Sequence, residues 1–300
     1  MRMISLTVAS VVAVTACASA AAPEAAVSAA AAASSVQTED RYSLRSGRIA
    51  QGALSFWRTE PGAEVYIDKK PVKVDNDGYF VIGFNRDFDG NAELLIVFAD
   101  GTEATRTLPV EKREFRIERI DNLPPSKVNK YTPEQLAQIR EETAAKAAAR
   151  ANPSPSSYWR AGFDWPVRGR ISGKYGAQRI LNGVPKRFHS GTDVAAPTGT
   201  APADFVGMPV RAPTTGKVTL AASDFYFEGG VVFIDHGQNI ESVLMHLEQV
   251  LVRPGQTVTK GEIVGTVGAT GRATGPHLHW TVNWQGQPVD PELIVPPMEF

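Results

Sequence analysis

All five histidines of the chain lie between residues 189 and 279: His189, His236, His246, His277 and His279. Each sits among strand or turn signals and not in one tract, which argues against a disordered, histidine-rich metal sponge. Two of them stand two apart in "GPHLHW" (275–280), inside a run that reads as a β-strand. Side chains alternate along a strand, so His277 and His279 share one face while Leu278 and Trp280 take the other. A half-buried strand fills such a face with apolar groups, whereas paired imidazoles supply metal ligands or proton carriers. The bland alternative is a polar pair on a wet sheet face. "HSGTD" adds a carboxylate, Asp193, four residues after His189. Fully extended, that spacing covers about 13 Å, while two ligands of one metal, with bonds of about 2.0–2.2 Å, lie only a few ångströms apart. The chain must fold back between them, and Ser190-Gly191 is a place to do so. Alone, His-x-x-x-Asp describes a surface loop. Joined to His-x-His, it describes three ligands carried by two rigid elements.

Those elements are strands. From about Trp159 onward come "ISGKYG", "GKVTLAAS", "GVVFIDHG", "SVLMHLEQV", "EIVGTVGAT" and "HLHWTVNW", divided by glycines and prolines with no helical period. This predicts a compact, mostly antiparallel β domain over 159–300. Residues 46–120 show the same texture on a smaller scale, with runs such as "GYFVIGF" and "AELLIVF" between turns such as "EPG" and "ADGT". They predict a small β-sandwich-like domain. "DNDG" (75–78) hints at a calcium loop, but no glutamate completes the twelve-residue pattern, so it reads as a hairpin turn. "NLPPSKVN" marks a boundary, and residues 121–158 read as a helical linker. There Thr132 caps the helix, Pro133 takes its first position and Gln135 closes a capping box. Only Leu136 and Ile139 are sizeable apolar residues on it, so it reads as a spacer, with docking across the next domain as the alternative. The fold class is mainly β.

The N-terminus has the shape of an export signal over residues 1–20: Arg2, then an apolar run from Ile4 to Ala16, then small residues. Two cleavage readings stay open. "VTAC" (14–17) resembles a bacterial lipobox that would make Cys17, the only cysteine, a lipidated N-terminus. "ASA" (18–20) would suit ordinary signal peptidase. An alanine- and serine-rich stretch (21–45) reads as a flexible tether. Both readings place the protein in the cell envelope, the periplasm, with a lipid anchor in the first. A net charge of −1 suggests no polyanion partner, since a nucleic-acid binder normally shows a basic face.

These residues carry a resemblance. "HSGTDVA", and "IDHGQN" through "SVLMHLEQVLVRPGQTVTKGEIVGTVGATGRATGPHLHW", resemble the M23 family of zinc metallopeptidases, the LytM- or lysostaphin-like cell-wall endopeptidases. The similarity spans about residues 166–291. It implies one zinc ion on His189, Asp193 and His279, and catalytic roles for His246 and His277. It also implies peptidoglycan stem peptides or cross-links as substrate. Many members place a tyrosine two residues before the "HL" histidine, where this chain has Leu244; an oxyanion donor there would be missing or replaced by a histidine. His236, in "DHG", reads as a turn residue. Two imidazoles and a carboxylate leave a fourth position on zinc for water, and two further histidines suit proton transfer and oxyanion stabilisation. Which of them is the general base is open at this level. Two rivals stand beside this reading. A non-catalytic activator of cell-wall amidases would be expected to lack ligands that this chain retains. A glycosidase built on paired carboxylates would leave the histidines without a role.

Overall fold

The computed structural model describes residues 41–121 and 131–299. The export segment, Cys17, most of the 21–45 stretch and the boundary at 122–130 lie outside the described residues. The first part of the chain folds as two antiparallel sheets. One contains β1 (Ser43–Gly47), β2 (Leu54–Arg58) and β5 (Tyr79–Gly83). The other runs in the order β4 (Lys70–Val72), β3 (Glu64–Ile67), β6 (Asn91–Val97), β7 (Glu103–Pro109). In β6, Ala92, Leu94 and Ile96 point inward and alternate with exposed or half-exposed residues. This is the period that puts one face of a strand on a core. β2 instead buries four consecutive residues, because both its faces are covered. The Phe56 ring lies 5.0 Å from that of Trp159. The apolar cluster holding Leu54, Phe80 and Leu94 runs without a break to Trp280, Val282 and Trp284. Polar bonds reinforce the junction: Arg113 pairs with Asp290 at 2.7 Å, and Gln238 donates to the Tyr79 carbonyl at 2.9 Å. The "DNDG" segment is a turn: Asp75 accepts from the Asp77 and Tyr79 N–H groups. The positive charge beside its carboxylates is Arg160, 2.6 Å from Asp77 and 3.3 Å from Asp75.

Two segments differ from their sequence reading. β8 (Ile117–Ile120), read with the N-terminal strands, leaves both sheets and pairs in parallel with β10 (Gln178–Leu181), which also pairs with β11 (Val184–Pro185). Helix α1 (Pro133–Arg150) has the capping box on Thr132 and Gln135, but it is no free spacer. It lies along β14 (Gly216–Phe225). Glu142 is buried and accepts from the Tyr226 N–H at 2.8 Å. Lys146 pairs with Glu228 at 2.6 Å, and Arg150 with Glu241 at 2.7 Å. The docking is made by charged heads and aliphatic stems, so no apolar stripe announces it. Among the described residues, no helix is long and apolar enough to cross a membrane.

The remaining strands form one antiparallel sheet. β9 (Arg170–Gly173), β12 (Thr192–Ala195), β15 (Gly229–Gly237), β16 (Ile240–Val250), β17 (Thr257–Val258) and β19 (His277–Trp284) join β14 in the order β17-β14-β15-β16-β19-β12-β9. β18 (Ile263–Val267) links β16 to β13 (Pro209–Arg211), and β20 (Gln287–Val289) pairs with β19. β15 is buried throughout. Val232 and Ile234 belong to the main core, while Val231 and Phe233 form a second cluster with Leu220, against which Ala149 of α1 packs.

Candidate metal centre

Strand register builds the centre. Asp193 on β12 lies directly opposite His279 on β19, Met245 on β16 opposite the same histidine, and Gly173 on β9 opposite Asp193. A row Met245–His279–Asp193–Gly173 therefore crosses four strands on one face. A Cβ on Gly173 would overlap the Asp193 carboxylate, so the row requires glycine at its end. Leu278 and Trp280 are fully buried on the opposite face. His189 comes from the loop before β12, where its N–H donates to the Ala177 carbonyl and its own carbonyl accepts from Gly176.

Three ligand atoms converge. His279 Nδ1 lies 2.7 Å from Asp193 Oδ1, His189 Nε2 lies 3.1 Å from the same oxygen, and the two nitrogens are 3.0 Å apart. Among the described residues, this is the group of His, Cys, Asp and Glu side chains arranged to hold a metal ion. The far nitrogen of each ring is tied down. His189 Nδ1–H donates to the Lys174 carbonyl at 3.0 Å, which leaves a lone pair on Nε2. His279 Nε2 meets the Thr281 hydroxyl at 2.9 Å, and with its proton donated there Nδ1 is also a bare acceptor. When either facing nitrogen carries a proton instead, hydrogen bonding from His189 and His279 outweighs the effect of burial and holds the Asp193 carboxyl well below the usual carboxylate range. Burial pushes His279 down, against the pull of Asp193. Three lone pairs this close repel unless a proton or a cation lies among them. Two nitrogens and one oxygen fit a small divalent cation that accepts imidazole, and not an oxygen-seeking one.

Two more imidazoles flank the cluster. His277 shares the face of His279, with Nδ1–H donating to the Gly275 carbonyl at 2.8 Å and Nε2 3.8 Å from Asp193 Oδ1. His246 lies 4.7 Å from the His277 ring, and its Nδ1–H donates to the Thr270 carbonyl at 2.9 Å. Simple alternation would turn His246 away from the face that holds Met245. Its φ of 63°, a left-handed value uncommon outside glycine, marks an irregularity where β16 leaves β19 after Met245 and takes β18 from Leu247. Both residues then line one cleft of about 800 Å³, together with His189, Asp193, His277 and His279. Burial lowers the His246 pKa to about 4, helped by the neighbouring His277 and His279.

Two further positions are settled by packing. Leu244 is fully buried opposite Trp280, so a side chain there faces the core and its identity withdraws no donor from the cleft. His236 is also fully buried, outside the cleft. It donates to the Thr215 carbonyl and meets the Ser242 hydroxyl, each at 2.8 Å, tying the start of β14 to β16. Sequence reasoning missed Thr281, Gly173, Lys174 and Thr270. Of these only Thr281 had a signal, since it stands two residues past His279 and so on the same face.

Peptidase family M23 matches residues 187–291. The peptidoglycan DD-endopeptidase ShyA of Vibrio cholerae is 39% identical over 123 residues, which are 40% of this chain and 26% of that protein. The DD-carboxypeptidase/endopeptidase Mpg of Neisseria meningitidis is 40% identical over 111 residues, 37% of this chain and 24% of that protein. The chain thus matches about a quarter of the length of these curated relatives. A solved structure from Pseudomonas aeruginosa, assigned to peptidase M23, is similar over a much larger share: 30% identity, 82% of this chain, 95% of that one and a TM-score of 0.62. That share extends well beyond residues 187–291, and on it the chain belongs to peptidase family M23.

Proposed function

We propose that the protein is a zinc-dependent endopeptidase that hydrolyses the peptide cross-links or stem peptides of bacterial peptidoglycan. His189, Asp193 and His279 hold the metal, and His246 and His277 act on protons and charge. The observation that carries this reading is the convergence of His189 Nε2, His279 Nδ1 and Asp193 Oδ1 beside two imidazoles, His246 and His277, that lie outside that group in the same cleft. The donor set suits Zn²⁺, which when bound there acidifies a water toward a pKa of about 7 and polarises the scissile carbonyl. His246 and His277 each give Nδ1–H to a main-chain carbonyl, so Nε2 is the atom each offers to the cleft. Either can take a proton at Nε2 during attack and return it to the leaving amine, and the protonated ring is a donor for the oxyanion. The Gly275 and Thr270 carbonyls fix both rings, so the geometry needs no rearrangement during the step. The name of ShyA supports peptidoglycan peptides as substrate, and that of Mpg supports an endopeptidase activity. An envelope location follows from that substrate, with Cys17 as the site of a lipid anchor if "VTAC" is cleaved as a lipobox.

The test combines metal analysis with digestion of purified peptidoglycan and mass mapping of the products. His279→Ala should lose zinc. His246→Ala and His277→Ala should keep it and lose about 10²–10⁴-fold in hydrolysis, the usual range for general acid–base groups. Full zinc in His279→Ala would overturn the ligand set. A zinc-loaded wild-type protein that releases no fragments but stimulates an amidase would support the activator reading.

A further inference from the structure

Over the whole chain, 31 Lys and Arg residues balance 32 Asp and Glu, but the cleft is not balanced. Arg170, Arg179, Arg187 and Arg272 line it, against the carboxylates of Glu118, Asp193 and Glu228. Each of those carboxylates is committed. Glu118 pairs with Arg179 at 3.4 Å, Glu228 with Lys146 at 2.6 Å, and Asp193 belongs to the histidine cluster. Among the described residues, no carboxylate forms an ion pair with Arg170, Arg187 or Arg272. Three guanidinium groups around one cleft repel one another, a cost that an anionic ligand relieves.

Their placement follows from the fold. Ala195 pairs with His277 on one side and with Arg170 on the other, so the three share the cleft face. Arg170 stands two strands, about 10 Å, from His277. Arg187 precedes His189 by two residues. Arg272 comes from the β15 side of the sheet. Its guanidinium lies 4.6 Å from the Phe227 ring centre, and its N–H donates to the Phe227 carbonyl at 3.0 Å. The stacked ring and the backbone bond hold that cation in place before any ligand arrives. Cations therefore stand on both sides of the His/Asp row, where the two arms of a bound peptide would run. Guanidinium forks match carboxylates bidentately.

We infer that Arg170, Arg187 and Arg272 select peptides carrying free carboxylates on either side of the scissile bond, over the same peptides with those carboxyls amidated. The selection rests on the peptidase reading for its consequence in turnover but not for its consequence in binding. The experiment therefore has two arms, both with the full chain. Calorimetric titration with an uncross-linked stem peptide, in free-acid and amidated forms, reads binding without turnover. Steady-state hydrolysis of the corresponding cross-linked dimers reads KM and kcat. The free acid should bind about 10–100-fold more tightly, as charge-assisted bonds imply. Arg187→Gln and Arg272→Gln should each erase much of that margin, through KM and not kcat. Equal binding of the two forms, or a margin that survives the Arg170→Gln/Arg187→Gln/Arg272→Gln triple variant with an unchanged melting temperature, overturns the inference. Absence of hydrolysis with the binding margin intact would sink the peptidase reading and leave this one standing.

Discussion

Replacing Thr281 by valine removes one hydroxyl from the candidate metal centre and little else. The residue is 4% exposed, so valine keeps the packing while His279 Nε2 loses the partner it meets at 2.9 Å. The ring then has two options. It can keep Nε2–H with no acceptor in a buried place, at about 1–3 kcal/mol. It can instead move the proton to Nδ1, the atom 2.7 Å from Asp193 and 3.0 Å from His189, and so block its own lone pair. Either way, binding of a cation weakens by about 10–100-fold, the range seen when such supporting partners are removed from metal-bound histidines. Competition between the protein and a chromophoric zinc chelator at neutral pH measures it, with Thr281→Ser as the rescue. Thermal unfolding in excess chelator separates any loss of packing from the loss of metal. Wild-type zinc affinity in Thr281→Val would show that the hydroxyl does not set the His279 tautomer and would refute the reasoning.

Gly173→Ala should displace the Asp193 carboxylate, which its Cβ would overlap. Zinc content should fall while circular dichroism stays native, and a fully loaded variant would contradict the row geometry. His236 is held neutral by burial, its pKa lowered from 6.5 to about 4. The unfolded chain binds the proton that the folded one refuses, so stability present above about pH 6.5 should drain away as pH falls toward 4. The loss is about 3 kcal/mol at most, at 1.36 kcal/mol per unit. Urea unfolding of wild type and His236→Asn at pH 7 and 4.5 should show the difference, and equal slopes would reject the assignment. Leu244→Tyr should cost about 1–3 kcal/mol by overfilling the core without raising turnover; a faster enzyme would mean that position 244 does reach the cleft.

What was legible in the sequence was whatever alternation and turn chemistry encode locally. The shared face of His277 and His279, the capped start of α1 and the mainly β class all depend on residues a few positions apart. The fold-back between His189 and Asp193 was legible because the ligand role proposed for both forbids an extended path. The side-chain direction of His246 was not, because it depends on a single left-handed residue where β16 changes partners. Nor was the docking of α1, whose contacts use Glu142, Lys146 and Arg150, residue types that pattern reading assigns to solvent. Leu244 misled in the other direction. As a departure from a motif it invited a catalytic explanation, whereas its register opposite Trp280 gives it a packing role.

The family match at residues 187–291 contains all five histidines and Asp193, yet the walls around them are built partly from chain that precedes it. β8 extends the β10–β11 hairpin and brings Glu118 to Arg179 at the cleft. On the other side, α1 grips the turn between β14 and β15. Glu142 takes the Tyr226 N–H, Lys146 takes Glu228, and the Tyr131 ring meets those of Tyr226 and Phe227. That turn in turn carries the site. The Glu228 carbonyl accepts the His246 N–H, the Phe227 carbonyl accepts the Arg272 N–H, and Gly230 is tied to Thr270, whose carbonyl orients the His246 ring. The strained backbone at His246 persists only because neighbours on both sides over-determine it. A helix that looks like a spacer in sequence is thus one of the supports that hold the His246 imidazole in the cleft.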